Sequence, residues 1–425
     1  MGRWLPAAAV GELALVTLLF ATPQRRQETL RLDTAALSPA ADRLRERLRE
    51  HRRVLHRWPE LAFEEHRSAA YVESVLSELG VPHRRVAGTG VVGVVHGADG
   101  KCVGVRGDMD ALPIPEATGR EGYRSQVEGV SHACGHDAHV AILLGLAELL
   151  VSVDALPGAV ALYFQPAEEG RGGAAPMVAA GALDDPRPKA VIALHVSASH
   201  PAGVVGLRSG AVSGSTDDVT ITVQGVGGHA AHPDTAVDPV PIAAQLVTAV
   251  AHLVSREVDP VKPAVVTFGK VHGGTKPNVI ASSVELGATM RASHPEIREL
   301  LLRRVDEVAH AICATHRATA SVRVERGYPA GFNDPALTSL VEAAARAVLG
   351  NERVVLDPEP SLGAEDFFAF GDRGAPVCLF RLGIRNPEKG IVAPHHSPGF
   401  DLDEDALPAG VAVFAEAIRR ILEAS

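Results

Sequence analysis

Two textures of apolar and polar positions succeed each other along the chain. In its first half, short apolar runs bounded by glycine recur: Gly90 to His96, Cys102 to Arg106, Ala159 to Phe164 and Ala190 to His195. Unbroken runs of this length predict strands buried on both faces, and helical stretches between them, such as Ala138 to Val151, predict a parallel α/β sheet. Upstream, Leu44, Leu48, Val54 and Leu55 fall at helical spacing among arginines, so Ala40 to Arg57 is predicted as an amphipathic helix and folding is predicted to begin near Pro39. A second helix is predicted over Glu64 to Gly80, ended by its glycine.

From Asp217 the pattern changes. Val219 to Gln224 alternates as a strand, Pro239 to Val258 is helical, Ala264 to Val271 and Val284 to Arg291 are strands, Pro295 to His316 is helical, and Ala320 to Arg326 is a strand. The order β-α-β-β-α-β is the split-βαβ, ferredoxin-like pattern. It predicts a small domain, residues 214–326, inserted into a larger one made of residues 39–213 and 327–425, with residues 1–38 as an N-terminal extension. The larger domain resumes with a helix over Asp334 to Leu349, a strand over Val377 to Leu382 and a last helix over Glu404 to Glu423.

Composition narrows the function. With 46% hydrophobic and 22% charged residues in 425, the chain has ample core material, and a net charge of −10 does not suit a nucleic-acid partner. Four cysteines are too few for a disulfide scaffold and suit a reducing, cytoplasmic setting. Trp4 to Ala21 is apolar, but Glu12 interrupts it and one arginine precedes it. An unordered extension is therefore preferred to a signal or anchor, although the latter is not excluded. No membrane partner is expected.

Four stretches carry candidate chemistry. Cys134-Gly135-His136-Asp137 precedes an apolar helix, and its glycine permits a tight turn that lets a thiolate and an imidazole converge on one metal. A helix cap with solvated histidines would read the same way. Glu168-Glu169 follows an apolar strand, where ligands bind in open α/β sheets, although surface Glu-Glu pairs are common. His195 ends another such strand, as a buried core histidine also could. His395-His396 lies between prolines in a stiff loop, or a merely solvated one. Taken together, Cys134, His136, Glu169, His195 and His396 are a thiolate, a carboxylate and three imidazoles. That mixture suits Zn²⁺ or Mn²⁺, with Co²⁺ and Ni²⁺ compatible. Five donors exceed one tetrahedral site and a thiolate can bridge, which predicts two divalent ions about 3.5–4 Å apart.

With these motifs, the chain resembles the amidohydrolase branch of the di-metal aminoacylase and carboxypeptidase superfamily, the branch of hippurate hydrolases and indole-acetyl amino acid hydrolases. The resemblance runs from about His51 to Glu423. It includes His56-Arg57-Trp58-Pro59-Glu60-Leu61, Arg106-Gly107-Asp108-Met109-Asp110, Glu168-Glu169-Gly170 and Leu362-Gly363-Ala364-Glu365-Asp366-Phe367. It implies an exopeptidase-like catalytic domain, with a mixed sheet covered by helices, and an inserted lid and dimerisation domain. It also implies Cys134 as bridging ligand, His136, Glu169, His195 and His396 as the other ligands, Glu168 as general base, and Asp110 as the residue orienting the metal site from behind. Asp108 stands where other branches carry a ligand histidine.

In the inserted domain, the resemblance assigns His229 to the substrate carbonyl, reached from a partner subunit in a homodimer, and Asn278 and Arg291 to the substrate's other end. The implied reaction is hydrolysis of the amide bond of a small N-acyl amino acid. A dipeptidase or aminoacyl peptidase on the same fold is the alternative, and a catalytically silent metal-binding homologue a weaker one. Gly107, Asp234, Ala288 and Leu362 depart from the family's usual residues without touching a proposed ligand or the base, so they bear on substrate preference and not on the reaction.

Overall fold

The glycine-bounded apolar runs become adjacent strands of one large sheet. The structure, a computed structural model, describes residues 33–97, 100–117 and 122–424. Its eight-stranded sheet runs in the order His83–Val86, Gly90–Val95, Ala159–Gln165, Cys102–Asp108, Val191–Pro201, Val377–Arg385, Val205–Leu207, Val354–Leu356. The four central strands are parallel. Cys102–Asp108 and Ala159–Gln165 are buried at every position, as strands covered on both faces must be.

Gly90–Val95 departs from expectation. It pairs antiparallel with Ala159–Gln165, because it arrives by a hairpin from His83–Val86 and not by a helical crossover. The predicted Ala190–His195 strand runs on to Pro201, since Val377–Arg385 pairs beside it throughout, so His195 stands mid-strand. The first helix also differs: described structure starts with Thr34–Arg43, capped by the Asp33 side chain, and Pro39 lies inside that helix. The chain turns at Leu44, whose amide donates to the Ala41 carbonyl at 3.0 Å, and a second helix follows over Arg45–Arg57.

One face of the sheet packs under Arg45–Arg57, His136–Val151 and Leu407–Glu423 around Leu48, Ile142, Leu146, Val411 and Phe414. The opposite face carries a second core of Tyr163, Met177, Ala193, Phe367, Phe370 and Leu379. A separate four-stranded antiparallel sheet has the order Ala264–Gly273, Ser283–Ala292, Ser215–Gln224, Thr319–Arg326. Helices Pro239–Glu257 and Pro295–Thr315 cover one of its faces, with a core of their own around Ile221, Leu246, Leu286 and Leu301. Connectivity and strand order are those of the ferredoxin-like pattern. Among the described residues no helix is long and apolar enough to cross a membrane. Trp4 to Ala21 lies outside them.

Candidate metal centre

The chemistry-bearing residues cluster at the carboxyl edge of the central strands, where an open parallel sheet leaves backbone groups and loops to face a ligand. Asp108 ends one strand and Asp110 lies two residues beyond; Glu168 and Glu169 follow the next strand. Cys134 and His136 flank Gly135, which caps the helix His136–Val151 with φ of 90°. A Cβ at Gly135 would stand 2.5 Å from Val196 Cγ2, so only glycine fits this close approach. His195 projects from mid-strand, and His396 comes from the loop after Val377–Arg385 with φ of 57°.

All five predicted donors meet. Cys134 Sγ is 3.4 Å from both His195 Nε2 and His396 Nε2. Glu169 Oε1 is 3.2 Å from His396 Nε2 and 3.9 Å from His136 Nε2. Cys134, His136 and His195 make one set with donor atoms within 4.8 Å of one another; Cys134, Glu169 and His396 make another. The thiol is common to both.

This cluster fits divalent cations. His136 Nε2 is buried with no hydrogen-bond partner, an arrangement that costs about 1–3 kcal/mol unless something else satisfies it. His136 Nδ1 lies 2.9 Å from the Asp110 carbonyl and 3.2 Å from its carboxylate, so Nδ1 carries a proton and Nε2 faces the shared space. His195 Nδ1 likewise donates to the Val196 carbonyl at 2.7 Å. Burial pushes His195 well below the usual histidine range, keeping it a neutral donor. Burial pushes the Cys134 thiol well above its ordinary value, so a thiolate there needs cationic company.

Behind the donors, Asp110 accepts from the Glu168 amide at 3.0 Å with one carboxylate oxygen and from the Glu169 amide at 2.9 Å with the other. One carboxylate thereby fixes His136 and both glutamates. Tyr328 donates to the Glu168 carbonyl at 2.8 Å. Glu168 is buried, and desolvation, followed by the carboxylates of Glu365 and Glu169, holds it well above the usual carboxylate range.

Three supporting roles escaped the sequence reading. Arg106, fully buried, donates to Asp108, Glu365, Asp366 and Gln165. His139 Nδ1 bonds Asp108 while its Nε2 accepts from the Val196 amide, tying Asp108 to the strand of His195. Asp137 accepts from the buried Arg52 at 2.8 Å and lies 2.7 Å from His56 Nδ1. Each belongs to a motif quoted above or to its flank, but apart from Arg106–Asp108 the pairings span 31 to 260 residues and leave no periodic signal.

A cavity of about 950 Å³ opens onto the cluster. Cys134, Glu168, Glu169, His195 and His396 line its floor, and Arg291 lines its wall, with Nη1 donating to the Leu362 carbonyl at 3.4 Å. His229 and Asn278 are brought together on the inserted domain, where Gly228–His229 pairs with Val279–Ile280 and the Ala230 amide donates to the Asn278 carbonyl at 3.2 Å. Both are exposed and neither lines this cavity.

Residues 104–420 match the model of peptidase family M20/M25/M40. The chain is 40% identical over 371 residues to thermostable carboxypeptidase 1 of Saccharolobus solfataricus, covering 86% of this chain and 92% of that one. It is 37% identical over 377 residues to IAA-amino acid hydrolase ILR1-like 4 of Arabidopsis thaliana, covering 87% and 84%. Among solved structures it resembles the YXEP protein of Bacillus subtilis, described as a dinuclear metal binding peptidase, with a TM-score of 0.79 and 31% identity over 90% of this chain and all of that one. With its donor cluster, sheet and motifs in place, this chain belongs to peptidase family M20/M25/M40 and is a metal-dependent hydrolase of amide bonds.

Proposed function

We propose that the chain hydrolyses the amide bond of N-acyl amino acids, hippurate-like, N-acetyl or related conjugates, with two divalent ions held by Cys134, His136, Glu169, His195 and His396. The observation that carries this reading is the place of Glu168. It is a buried carboxyl, held through its own backbone by Asp110 and Tyr328, and its side chain stands within 4.8 Å of the His136 and Glu169 donor atoms without belonging to the thiol-centred sets. When bound, the two ions supply Lewis acidity to the water and to the scissile carbonyl; the borderline donor set suits Zn²⁺ or Mn²⁺.

The chain's own residues do the rest. Glu168 takes a proton from the attacking water and returns it to the leaving nitrogen. Arg291 presents a planar fork to the amino-acid carboxylate from the cavity wall. His229 polarises the carbonyl when a second copy of the chain brings it to the cavity, and Asn278, beside it, holds the same end of the substrate.

Glu168→Gln should keep its full metal content and lose about 10²–10⁴-fold in turnover. Wild-type turnover in the metal-loaded variant would remove Glu168 from the mechanism. Identity to a carboxypeptidase favours a second reading, cleavage of peptides, which breaks the same kind of bond. N-acetyl, N-benzoyl and indole-acetyl amino acids assayed against unblocked dipeptides separate the two.

A further inference from the structure

The cavity has a second cation that neither the metal cluster nor the reaction accounts for. Arg381 stands on Val377–Arg385 directly beside His195, its register partner on the parallel neighbouring strand. Register partners project to the same face, so its side chain shares the cavity with the donor cluster. It is half-buried, and the cavity lining it shares mixes Leu379, Val212 and Phe368 of the apolar core with Ser197, Ser199 and Glu365. Among the described residues the Arg381 side chain makes neither a hydrogen bond nor an ion pair, while its backbone pairs with the strands on either side. The two fully buried arginines behave differently: Arg52 and Arg106 each reach three carboxylates. A half-buried guanidinium that faces a cavity without a protein counter-charge is a ready binding group for an anionic ligand.

We infer that Arg381 binds a second carboxylate of the substrate, so that the preferred N-acyl amino acid is doubly anionic. This rests on the amide-hydrolase reading above and names a substrate class within it. Arg291 and Arg381 enter the cavity from different sheets, so the cavity holds a cation beyond the one assigned to the amino-acid carboxylate. The second carboxylate belongs either to the amino-acid side chain or to a dicarboxylic acyl group; the chemistry Arg381 reads, a planar bidentate anion, is the same.

The test uses the metal-loaded enzyme. N-acetyl-glutamate is compared with N-acetyl-glutamine, and N-succinyl-alanine with its half-amide, in wild type and in Arg381→Met and Arg381→Lys. The expected result is that one charged substrate exceeds its amide partner by about 10- to 100-fold in kcat/KM, chiefly through KM. Which pair shows it tells where the charge sits. Arg381→Met should abolish that ratio and Arg381→Lys restore part of it.

Glutarate and butyrate titrated calorimetrically into the same three proteins give a reading independent of turnover: wild type should bind glutarate more tightly, and Arg381→Met should bind the two alike. Equal ratios in wild type for both pairs, or a glutarate preference unchanged in Arg381→Met, overturns the inference while leaving amide hydrolysis standing. Absence of turnover on every substrate overturns the functional reading instead, and the glutarate titration still decides Arg381.

Discussion

Cys134 is the atom-level pivot of the centre, because its sulfur is the one donor within reach of both His195 and His396 at 3.4 Å. Removing it takes a ligand from both sets at once. Cys134→Ala should therefore fall from two bound ions per chain to one or none by elemental analysis, whereas loss of a single-set donor such as His195 should spare the other ion. Unchanged stoichiometry in Cys134→Ala would end its bridging role. Asp110 concentrates control in the same way from behind. One carboxylate orients His136 and fixes both glutamate amides, a division of labour that no residue-by-residue propensity could disclose.

At the scale of elements, the loop entering His136–Val151 decides whether thiol and imidazole converge. Gly135→Ala places a methyl into Val196 and asks a side-chain residue to hold φ of 90°, so the loop must shift. Overpacking of this kind costs about 1–3 kcal/mol. We expect a lower thermal midpoint and weaker metal retention during dialysis against chelator; a variant with native midpoint and retention would show the loop to be tolerant. The elements themselves were largely legible. Buried strands, the site helix and the alternating strands of the inserted sheet follow from local periodicity. The direction of Gly90–Val95 and the mid-strand place of His195 did not, because both depend on which strand lies alongside. Val205–Leu207 and Val354–Leu356 are too short to show a period at all.

For the whole molecule, the inserted domain poses the open geometry. It contributes Arg291 to the cavity of its own chain but leaves His229 exposed and outside it. If a second copy completes the site, Glu168→Gln and His229→Ala should each be inactive alone and regain activity when co-expressed. In the mixed assembly one cavity then has its own Glu168 and a partner's intact histidine. No recovery would mean that His229 works within its own chain or not at all.

The amino-acid sequence by itself determined the kinds of element and the ferredoxin-like order of the inserted segment, and it singled out five candidate donors. Periodicity is a property of neighbouring residues and ligand chemistry a property of residue type, and both survive without coordinates. The fold alone decided that His195 stands mid-strand, that Arg106 joins neighbouring Asp108 to Glu365 across 259 residues, and that the Arg381 side chain stands beside His195 with no ion pair among the described residues. Those relations exist only after strands far apart in the chain have paired, since it is the register between them that sets which side chains meet.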